Sequence, residues 1–558
     1  MNGALVALVL AALVFGCSAA TVRPTDGVGA TSSAVARYAK VEIRAPGRQP
    51  YDADPFITFT SATGRTTRVF GFPSGDSSVF RFAPPELGEY RYEARAADDG
   101  PLLASGGFRV GAGSDRGPVR IDPANRRLLR FDDGTPFFVL GENRINVYDP
   151  SWNYRHLKAA DYVAAMAESG MTTLRLFIIT GCKWKGPHLP VRLGCLEPKL
   201  GTFDETVARD LDEIFAAAEA HGIYVILTAF AIGLSPGDSW KNWNDNPYNV
   251  VNGGSATRNG EVFTRADLRA AAKRKLRYLL ARYGYSTHLL AIDLLNEPEW
   301  DGQIPERLWI PWAEDLAHDW RARDPVGHLV TVGSIGLASN IEGDERPLYQ
   351  SPDLDLIQWH LYGVHDPRAH ADEMIRRVRQ TWGYGKPIFC GEFAYGGEDP
   401  ALYDHTHTGI WAAIFSGAGA LAHSAPPFHL DSDEPMTPAR AHHFRVLADF
   451  LRGLDARQSF EPDDTATADP AGTTVLALGR GDDRALWIVG PAPSYGREVA
   501  GVTVRLRDFP PGDHRVVWRN DVTGAVVGTA AVAGVDGLLR LEIPPFTRHL
   551  AGQISRAP

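Results

Sequence analysis

The stretch that decides the fold is LLAIDLLNEPEW, residues 289–300, which begins as an apolar run and ends in an amide, a carboxylate and a proline. A continuous apolar run of this length is typical of a strand that is buried on both faces, as the strands of a parallel sheet are. Pro298 cannot continue such a strand, because proline lacks the N–H that a sheet requires. We therefore expect Glu297 at the carboxyl end of a buried parallel strand.

Seven further apolar runs lie on either side of this one, and segments with helical periodicity separate several of them. One helical segment stops at Gly222, and another opens at Thr264 and stops at Gly284. Eight strands alternating with helices predict a (β/α)8 TIM barrel, which is an α/β fold. A doubly wound open sheet is the alternative, but it needs no eighth strand and usually carries a glycine-rich phosphate turn, which this sequence lacks. The seven runs are residues 137–141, 173–179, 223–230, 329–332, 356–360, 388–391 and 418–422.

Short alternating runs, punctuated by glycine, proline and aspartate, lie on both sides of the predicted barrel. This texture is typical of antiparallel sandwiches. We therefore expect a TIM barrel over residues 136–455, flanked by an N-terminal β-sandwich over residues 36–113 and a C-terminal β-sandwich over residues 456–558. Residues 114–135 are predicted as a linker or entry hairpin that leads into the barrel.

The first 20 residues predict export. The apolar stretch at residues 4–15 is too short to span a membrane but suits the hydrophobic region of a secretory signal. Two cleavage sites compete, because the residues before Cys17 resemble a lipoprotein signal, whereas Ser18–Ala19–Ala20 resembles an ordinary small-residue site. The expected location is therefore periplasmic, extracellular or, with Cys17 lipidated as an anchor, on the cell surface. No membrane-spanning segment is expected in the mature chain.

Three cysteines follow Cys17 in the chain. Cys182 and Cys195 flank a short segment, and an oxidising compartment would permit a disulfide between them. Cys390 lies in the apolar run PIFCGEF, where a small buried hydrophobe is the expected role.

Charge and residue spacing disfavour several kinds of partner. The formal net charge of -10 argues against nucleic acid and anionic lipid, which attract basic surfaces. His405, His407 and the pair His442–His443 lack the cysteine or carboxylate spacing of a zinc site, so solvated or helix-face histidines are expected and no metal or cofactor is predicted.

Two glutamates mark the predicted chemistry. Glu297 ends the fourth strand and Glu392 ends the seventh, and these strands face one another across a closed eight-stranded ring. Two carboxylates about 5 Å apart cleave a glycosidic bond with retention, whereas a gap of roughly 6.5 to 9.5 Å leaves room for a water and inversion. We predict the short gap, with Glu297 protonated as the acid and Glu392 charged as the nucleophile.

Other strand ends offer groups that support this pair. Arg175 interrupts the second strand with a cation that would hold a nearby carboxylate ionised, although a structural ion pair is the simpler explanation. His360 and Tyr362 close the sixth strand on one side, at a spacing of two residues. Either alone would most often be a packed core or rim residue, but four such coincidences are hard to explain by packing.

At these motifs the chain resembles a known family. LLNEPE resembles the Asn-Glu-Pro acid/base motif of clan A retaining glycoside hydrolases, close to cellulase family 5, and PIFCGEF resembles their nucleophile strand. Residues 68–96, RVFGFPSGDSSVFRFAPPELGEYRYEARA, and residues 117–143, GPVRIDPANRRLLRFDDGTPFFVLGEN, resemble the uncharacterised sandwich domain and entry hairpin that precede many bacterial barrels of this kind. The resemblance implies the acid/base Glu297, the nucleophile Glu392, Asn296 as partner of the sugar 2-hydroxyl, Tyr362 and Arg175 as companions of Glu392, and His360 as a subsite residue.

The chain departs from that family at two strands. Strand eight, GAGALAHSAPPF, lacks the usual aromatic floor of the central subsite, so His423 or a loop tryptophan is expected to stand in for it. Strand three carries Phe230 where the family often has a histidine. These departures leave the sugar open. The residues predicted to bind substrate are Asn143, Arg144, Trp152, Trp184, Trp240, Trp243 and His423.

The sequence therefore predicts an exported retaining glycoside hydrolase that acts on a β-linked carbohydrate without a cofactor. The alternative is a catalytically inactive barrel that holds glycan in the same cleft. A panel of glycosides and oligosaccharides distinguishes the two, because only the enzyme turns one of them over.

Overall fold

The computed structural model describes residues 20–21, 34–144, 159–179, 196–231, 233–235, 243–335, 346–393, 401–423, 438–454 and 461–557. The candidate lipidation site Cys17, the candidate disulfide Cys182–Cys195 and three candidate sugar-binding residues, Trp152, Trp184 and Trp240, lie outside these residues. Within the described ranges, every helix is too short or too polar to cross a bilayer.

Two sheets pack face to face at the N-terminal end of the chain, and both are antiparallel except where a two-residue strand adds in parallel at one edge. Their strand orders are β1-β3-β7-β6 and β2-β9-β8-β4-β5. Alternating residues of both sheets share one core, in which Phe59 stacks on Phe82 with ring centroids 4.3 Å apart. The strands are β1 (Ala20–Thr21), β2 (Val35–Ala36), β3 (Val41–Pro46), β4 (Phe56–Thr60), β5 (Thr66–Phe70), β6 (Phe72–Ser74), β7 (Ser77–Phe82), β8 (Gly88–Arg95) and β9 (Leu102–Gly111).

A three-stranded antiparallel sheet of β10 (Val119–Ile121), β11 (Leu129–Phe131) and β12 (Pro136–Phe137) leads into the barrel. Its apolar side chains form one cluster with residues from the amino ends of the barrel strands, so the sheet closes the bottom of the barrel. Phe137 pairs with Leu129 in this sheet, and the first barrel strand therefore starts at Leu140 rather than at Phe137 as the apolar run predicted.

Eight parallel strands form the barrel in the order β17-β16-β15-β14-β13-β20-β19-β18. The ring closes between β17 and β18, where a parallel bridge joins Ser334 to Trp359. The predicted TIM barrel is confirmed. Its strands are β13 (Leu140–Arg144), β14 (Thr173–Ile179), β15 (Tyr224–Ala231), β16 (Leu289–Asn296), β17 (Leu329–Gly333), β18 (Ile357–Leu361), β19 (Ile388–Phe393) and β20 (Gly419–His423).

The helices lie between and after these strands. The second ends as predicted at Gly222, whose left-handed φ of 72° suits glycine. The third begins one residue after Arg265, so Thr264 does not cap it. The described helices are α1 (Ala159–Glu168), α2 (Glu205–His221), α3 (Ala266–Tyr283), α4 (Pro298–Asp301), α5 (Glu306–Arg323), α6 (Arg346–Gln350), α7 (Pro367–Thr381), α8 (Ala401–Phe415) and α9 (Pro438–Arg452).

A second pair of antiparallel sheets follows the barrel, with strand orders β21-β24-β27 and β22-β23-β28-β25-β26 and a shared apolar core. This C-terminal sandwich contacts the barrel through α8, where Trp411 lies 6.2 Å from Trp487 between ring centroids. The strands are β21 (Ala466–Asp469), β22 (Thr474–Leu478), β23 (Arg484–Val489), β24 (Thr503–Arg507), β25 (Gly512–Arg519), β26 (Val526–Gly534), β27 (Leu538–Glu542) and β28 (His549–Arg556).

Candidate active site

The two glutamates lie together at the carboxyl end of the barrel. Glu297 directly follows β16, and Glu392 is the fifth residue of β19. Both side chains are buried, and one carboxylate oxygen of each lies within 4.8 Å of the other. The structure therefore brings the two predicted catalytic residues together in one site.

The backbone of Glu297 is strained. Its φ of 41° and ψ of 52° place it in the left-handed region, which residues other than glycine, asparagine and aspartate rarely occupy. Pro298 adds to the strain, because a residue before proline favours extended conformations. Such a conformation costs about 1 to 3 kcal/mol and persists only where the surroundings enforce it. Here the N–H of Glu297 donates to the carbonyl of Gly333 at 2.8 Å, which ties the strand end to its neighbour.

Arg175 is the hub of the site. Its fully buried guanidinium has five N–H donors, and the structure records five hydrogen bonds from it. The Nη1 atom donates to Glu392 at 2.6 Å and to Asn143 at 2.9 Å, and Nη2 donates to Asn296 at 2.6 Å. The Nε and Nη2 atoms also donate to one oxygen of Asp293, at 2.9 and 2.6 Å. One cation therefore holds two carboxylates and orients two amides.

Glu392 is held as a carboxylate. Its burial would raise its pKa, but the adjacent His360 and Arg175 outweigh burial and lower the pKa to about 2. The Tyr362 hydroxyl donates to its second oxygen at 2.6 Å. The Tyr362 side chain is 38% exposed, yet its hydroxyl end is enclosed, and burial together with the charge of Glu392 raises the pKa of Tyr362 well above its ordinary value. Tyr362 therefore remains a hydrogen-bond donor.

Glu297 is in direct contact with His360. The Nδ1 atom of His360 makes a short contact with a carboxylate oxygen of Glu297 and lies 3.8 Å from the nearest oxygen of Glu392. On the other side of the ring, the carbonyl oxygen of Gln358 turns toward Arg175 and accepts from Nε2 of His360 at 3.2 Å. Gln358 and Glu297 therefore hold the two ring nitrogens of His360 from opposite sides and fix the orientation of the ring.

The remaining predicted substrate-binding residues have different environments. Asn143 and His423 lie in the site, with the Nδ2 atom of Asn143 2.8 Å from Nδ1 of His423. Arg144 lies over the ring of Tyr162 at 4.5 Å. Trp243 belongs to the apolar core of the barrel and is only 7% exposed, so the prediction that it stacks on sugar is wrong: the loop packs its ring inward.

Three residues of the site were not predicted from the sequence, namely Asp293, Thr228 and Gln358. Asp293 is the fully buried counter-ion of Arg175, and it also accepts from the Thr228 hydroxyl at 3.0 Å. Gln358 fills the barrel interior beneath the pair of glutamates, in space left by two glycines. A Cβ at Gly333 or Gly391 would lie 2.6 Å from the amide end of the Gln358 side chain. A signal existed for Asp293, because a charged residue within an apolar strand requires a partner of opposite charge.

Two groups of buried side chains could hold a metal ion within the described part of the chain, and one is the two-glutamate site itself. The other is His407, Asp521 and His549, where α8 meets the C-terminal sandwich. Asp521 accepts from Nε2 of His407 at 2.9 Å and from Nε1 of Trp487 at 2.8 Å. His407 therefore lies on a helix, as one of the two predicted alternatives states, but it is buried and hydrogen-bonded across this interface and not solvated.

The chain is similar to known proteins mainly in its barrel. A family model described as Cellulase (glycosyl hydrolase family 5) matches residues 133–421. "Probable mannan endo-1,4-beta-mannosidase F" of Aspergillus oryzae is 26% identical over 293 residues, which cover 48% of this chain and 60% of that protein's length. Mannan endo-1,4-beta-mannosidase 2 of Arabidopsis thaliana is 23% identical over 342 residues, which cover 52% of this chain and 75% of that protein.

A solved structure resembles nearly the whole chain. The crystal structure of a candidate glycoside hydrolase from Bacteroides vulgatus superposes with a TM-score of 0.67 and 14% identity, covering 94% of this chain and 100% of that one. At this identity the likeness shows the fold alone.

Proposed function

The chain belongs to the cellulase family, glycosyl hydrolase family 5, and from this premise we propose that it hydrolyses a β-linked glycan with retention of the anomeric configuration. The observation that carries the proposal is the pair of buried carboxylates whose nearest oxygens lie within 4.8 Å, one beside a guanidinium and the other beside an imidazole. Retaining enzymes use this short separation, because the nucleophile attacks the sugar directly.

In the first step Glu392 attacks the anomeric carbon and forms a covalent ester with it. The bond to the leaving oxygen breaks, and Glu297 transfers its proton to that oxygen. Arg175 and Tyr362 keep Glu392 ionised and aim its two oxygens. Asn296 turns its oxygen to Arg175, which leaves its NH2 group to donate to a sugar hydroxyl.

In the second step a water molecule attacks the same carbon from the side that the leaving group has vacated. Glu297, now a carboxylate, takes the proton of that water, and the ester to Glu392 breaks. His360 stays in contact with Glu297 and positions its carboxyl group in both steps. Two inversions at one carbon give net retention.

We propose a β-mannan or a manno-oligosaccharide as the first substrate class to test. Both relatives named above are called mannan endo-1,4-beta-mannosidases, and their similarity to this chain lies in the part that carries the barrel. The departures at Phe230 and His423 make β-glucan and xylan the necessary comparison in the same panel.

The proposal is tested with Glu392→Ala on the best substrate of that panel. We expect turnover to fall by about 10⁴-fold or more, azide to restore it on an activated aryl glycoside, and ¹H NMR of the wild-type reaction to show the β-anomer as first product. Glu205→Ala removes a carboxylate paired with Arg282 outside the cleft and serves as control. An α-anomer as first product refutes retention, and glycan binding without turnover on every substrate supports the inactive barrel instead.

A further inference from the structure

Asn143 joins the hub of the site to the last strand of the barrel. Its Oδ1 accepts from Nη1 of Arg175 at 2.9 Å, and its Nδ2 lies 2.8 Å from Nδ1 of His423. A guanidinium only donates, so the amide oxygen of Asn143 must face Arg175 and the NH2 group must face His423. The orientation of Asn143 is therefore fixed by chemistry.

This orientation fixes the protonation of His423. Because the NH2 group of Asn143 only donates, Nδ1 of His423 must accept, and the hydrogen of a neutral ring then lies on Nε2. Burial lowers the pKa of His423 to about 4, and the nearby cations Arg440, Arg144 and Arg175 act in the same direction against the opposing charge of Glu392. The imidazole is therefore neutral near pH 7, with one N–H donor.

The ring of His423 lies beside the nucleophile. His423 is 6% exposed and ends β20, with Nδ1 4.0 Å from an oxygen of Glu392 and its ring edge-on to Tyr362 at 6.4 Å between centroids. Within the described ranges, the structure records no hydrogen-bond partner for Nε2. This N–H is therefore available to donate to an oxygen of a ligand that is bound beside Glu392.

We propose that His423 is a specificity-determining residue whose Nε2–H donates to an oxygen of the sugar bound against Glu392, with Asn143 as the residue that positions it. The inference rests on the proposed function, since the sugar must occupy the cleft above Glu392. It predicts recognition by a directed hydrogen bond rather than by a stacked aromatic ring. A site built around a donor rejects an analogue that lacks the matching oxygen, whereas stacking on a flat ring is much less selective.

The first test uses 4-nitrophenyl β-mannoside, its gluco epimer and their monodeoxy analogues, bound to Glu392→Gln so that affinity is measured without turnover. We expect His423→Phe in this background to weaken binding of the preferred parent at least tenfold, and to have no effect on the one deoxy analogue that lacks the partner oxygen. Equal loss across all analogues, or none, overturns the proposal. His370→Phe, which alters a buried histidine of α7 away from the cleft, is the matched control and should leave the pattern unchanged.

The second test needs no substrate, so it separates this inference from the proposed function. Nitrogen-15 NMR of the whole protein at pH 7 should show His423 as the neutral Nε2–H form, and Asn143→Asp should convert it to the Nδ1–H form because a carboxylate only accepts. An Nδ1–H ring in the wild-type protein overturns the proposal. If the wild-type protein shows the Nε2–H form and the sugars bind as the first test predicts, the proposal is supported, even if no glycoside is hydrolysed.

Discussion

Arg175→Lys tests whether the guanidinium fork, and not merely its charge, organises the site. The structure records five hydrogen bonds from Arg175, and lysine offers three donors, so at least two bonds are lost. A hydrogen bond to a charged group contributes about 1.5 to 3 kcal/mol, so the free energy of unfolding should fall by about 3 kcal/mol or more. If about 2 kcal/mol of this is also lost from the transition state, kcat/KM falls by about 30-fold.

The matched control is Arg282→Lys. Arg282 is equally buried and donates to Asp212, Glu205 and Tyr278, but it lies on α3, outside the barrel mouth. Urea unfolding followed by tryptophan fluorescence should show a comparable loss of stability in both variants. Only Arg175→Lys should lower kcat/KM on the glycoside that the panel identifies. If the two variants keep equal activity, the guanidinium of Arg175 does not hold Glu392 in position for catalysis.

Three further predictions concern the two glutamates. The pKa of Glu392 is about 2 instead of 4.5, which contributes about 3 kcal/mol of stability above pH 4.5. This contribution is lost as the pH falls toward 2. Glu392→Gln should therefore remove the corresponding part of the fall in unfolding free energy at acid pH. Tyr362→Phe should lower kcat/KM about tenfold and move its acid limb to higher pH, because one donor to Glu392 is lost; an unchanged limb contradicts this. Glu297→Gly should be about 1 kcal/mol more stable to urea than Glu297→Ala, because glycine tolerates the left-handed backbone, and the opposite order would show that this residue is not strained.

Sequence reasoning located the strand ends because an apolar run that stops at a charged residue is a local signal. Glu297 and Glu392 were found in this way, and the eightfold repeat of strand and helix predicted which ends share a mouth. The short distance between the two carboxylates could be inferred only from the closure of the eight strands into a ring. The first strand was misplaced because Phe137 is equally suited to a barrel strand and to the hairpin in which it pairs with Leu129.

What the sequence could not supply is the register between strands and the packing of loops. Asp293 meets Arg175 across two strand intervals, and Gln358 meets Arg175 from the opposite wall of the barrel, so neither contact has a fixed spacing along the chain. Trp243 looked like a loop aromatic at the mouth, but the turn that carries it folds inward against the barrel helices. Such outcomes depend on tertiary packing, which overrides local pattern.

The interface at Asp521 has a consequence for anyone who wishes to shorten this protein. Helix α8 is the connection between the strand of Glu392 and the strand of His423, and the C-terminal sandwich supplies the carboxylate and the tryptophan against which that helix is seated. Cutting the chain after the barrel would expose Trp411 and leave His407 without its partner Asp521. We therefore expect a shortened version of this protein to need both the barrel and the C-terminal sandwich to stay folded.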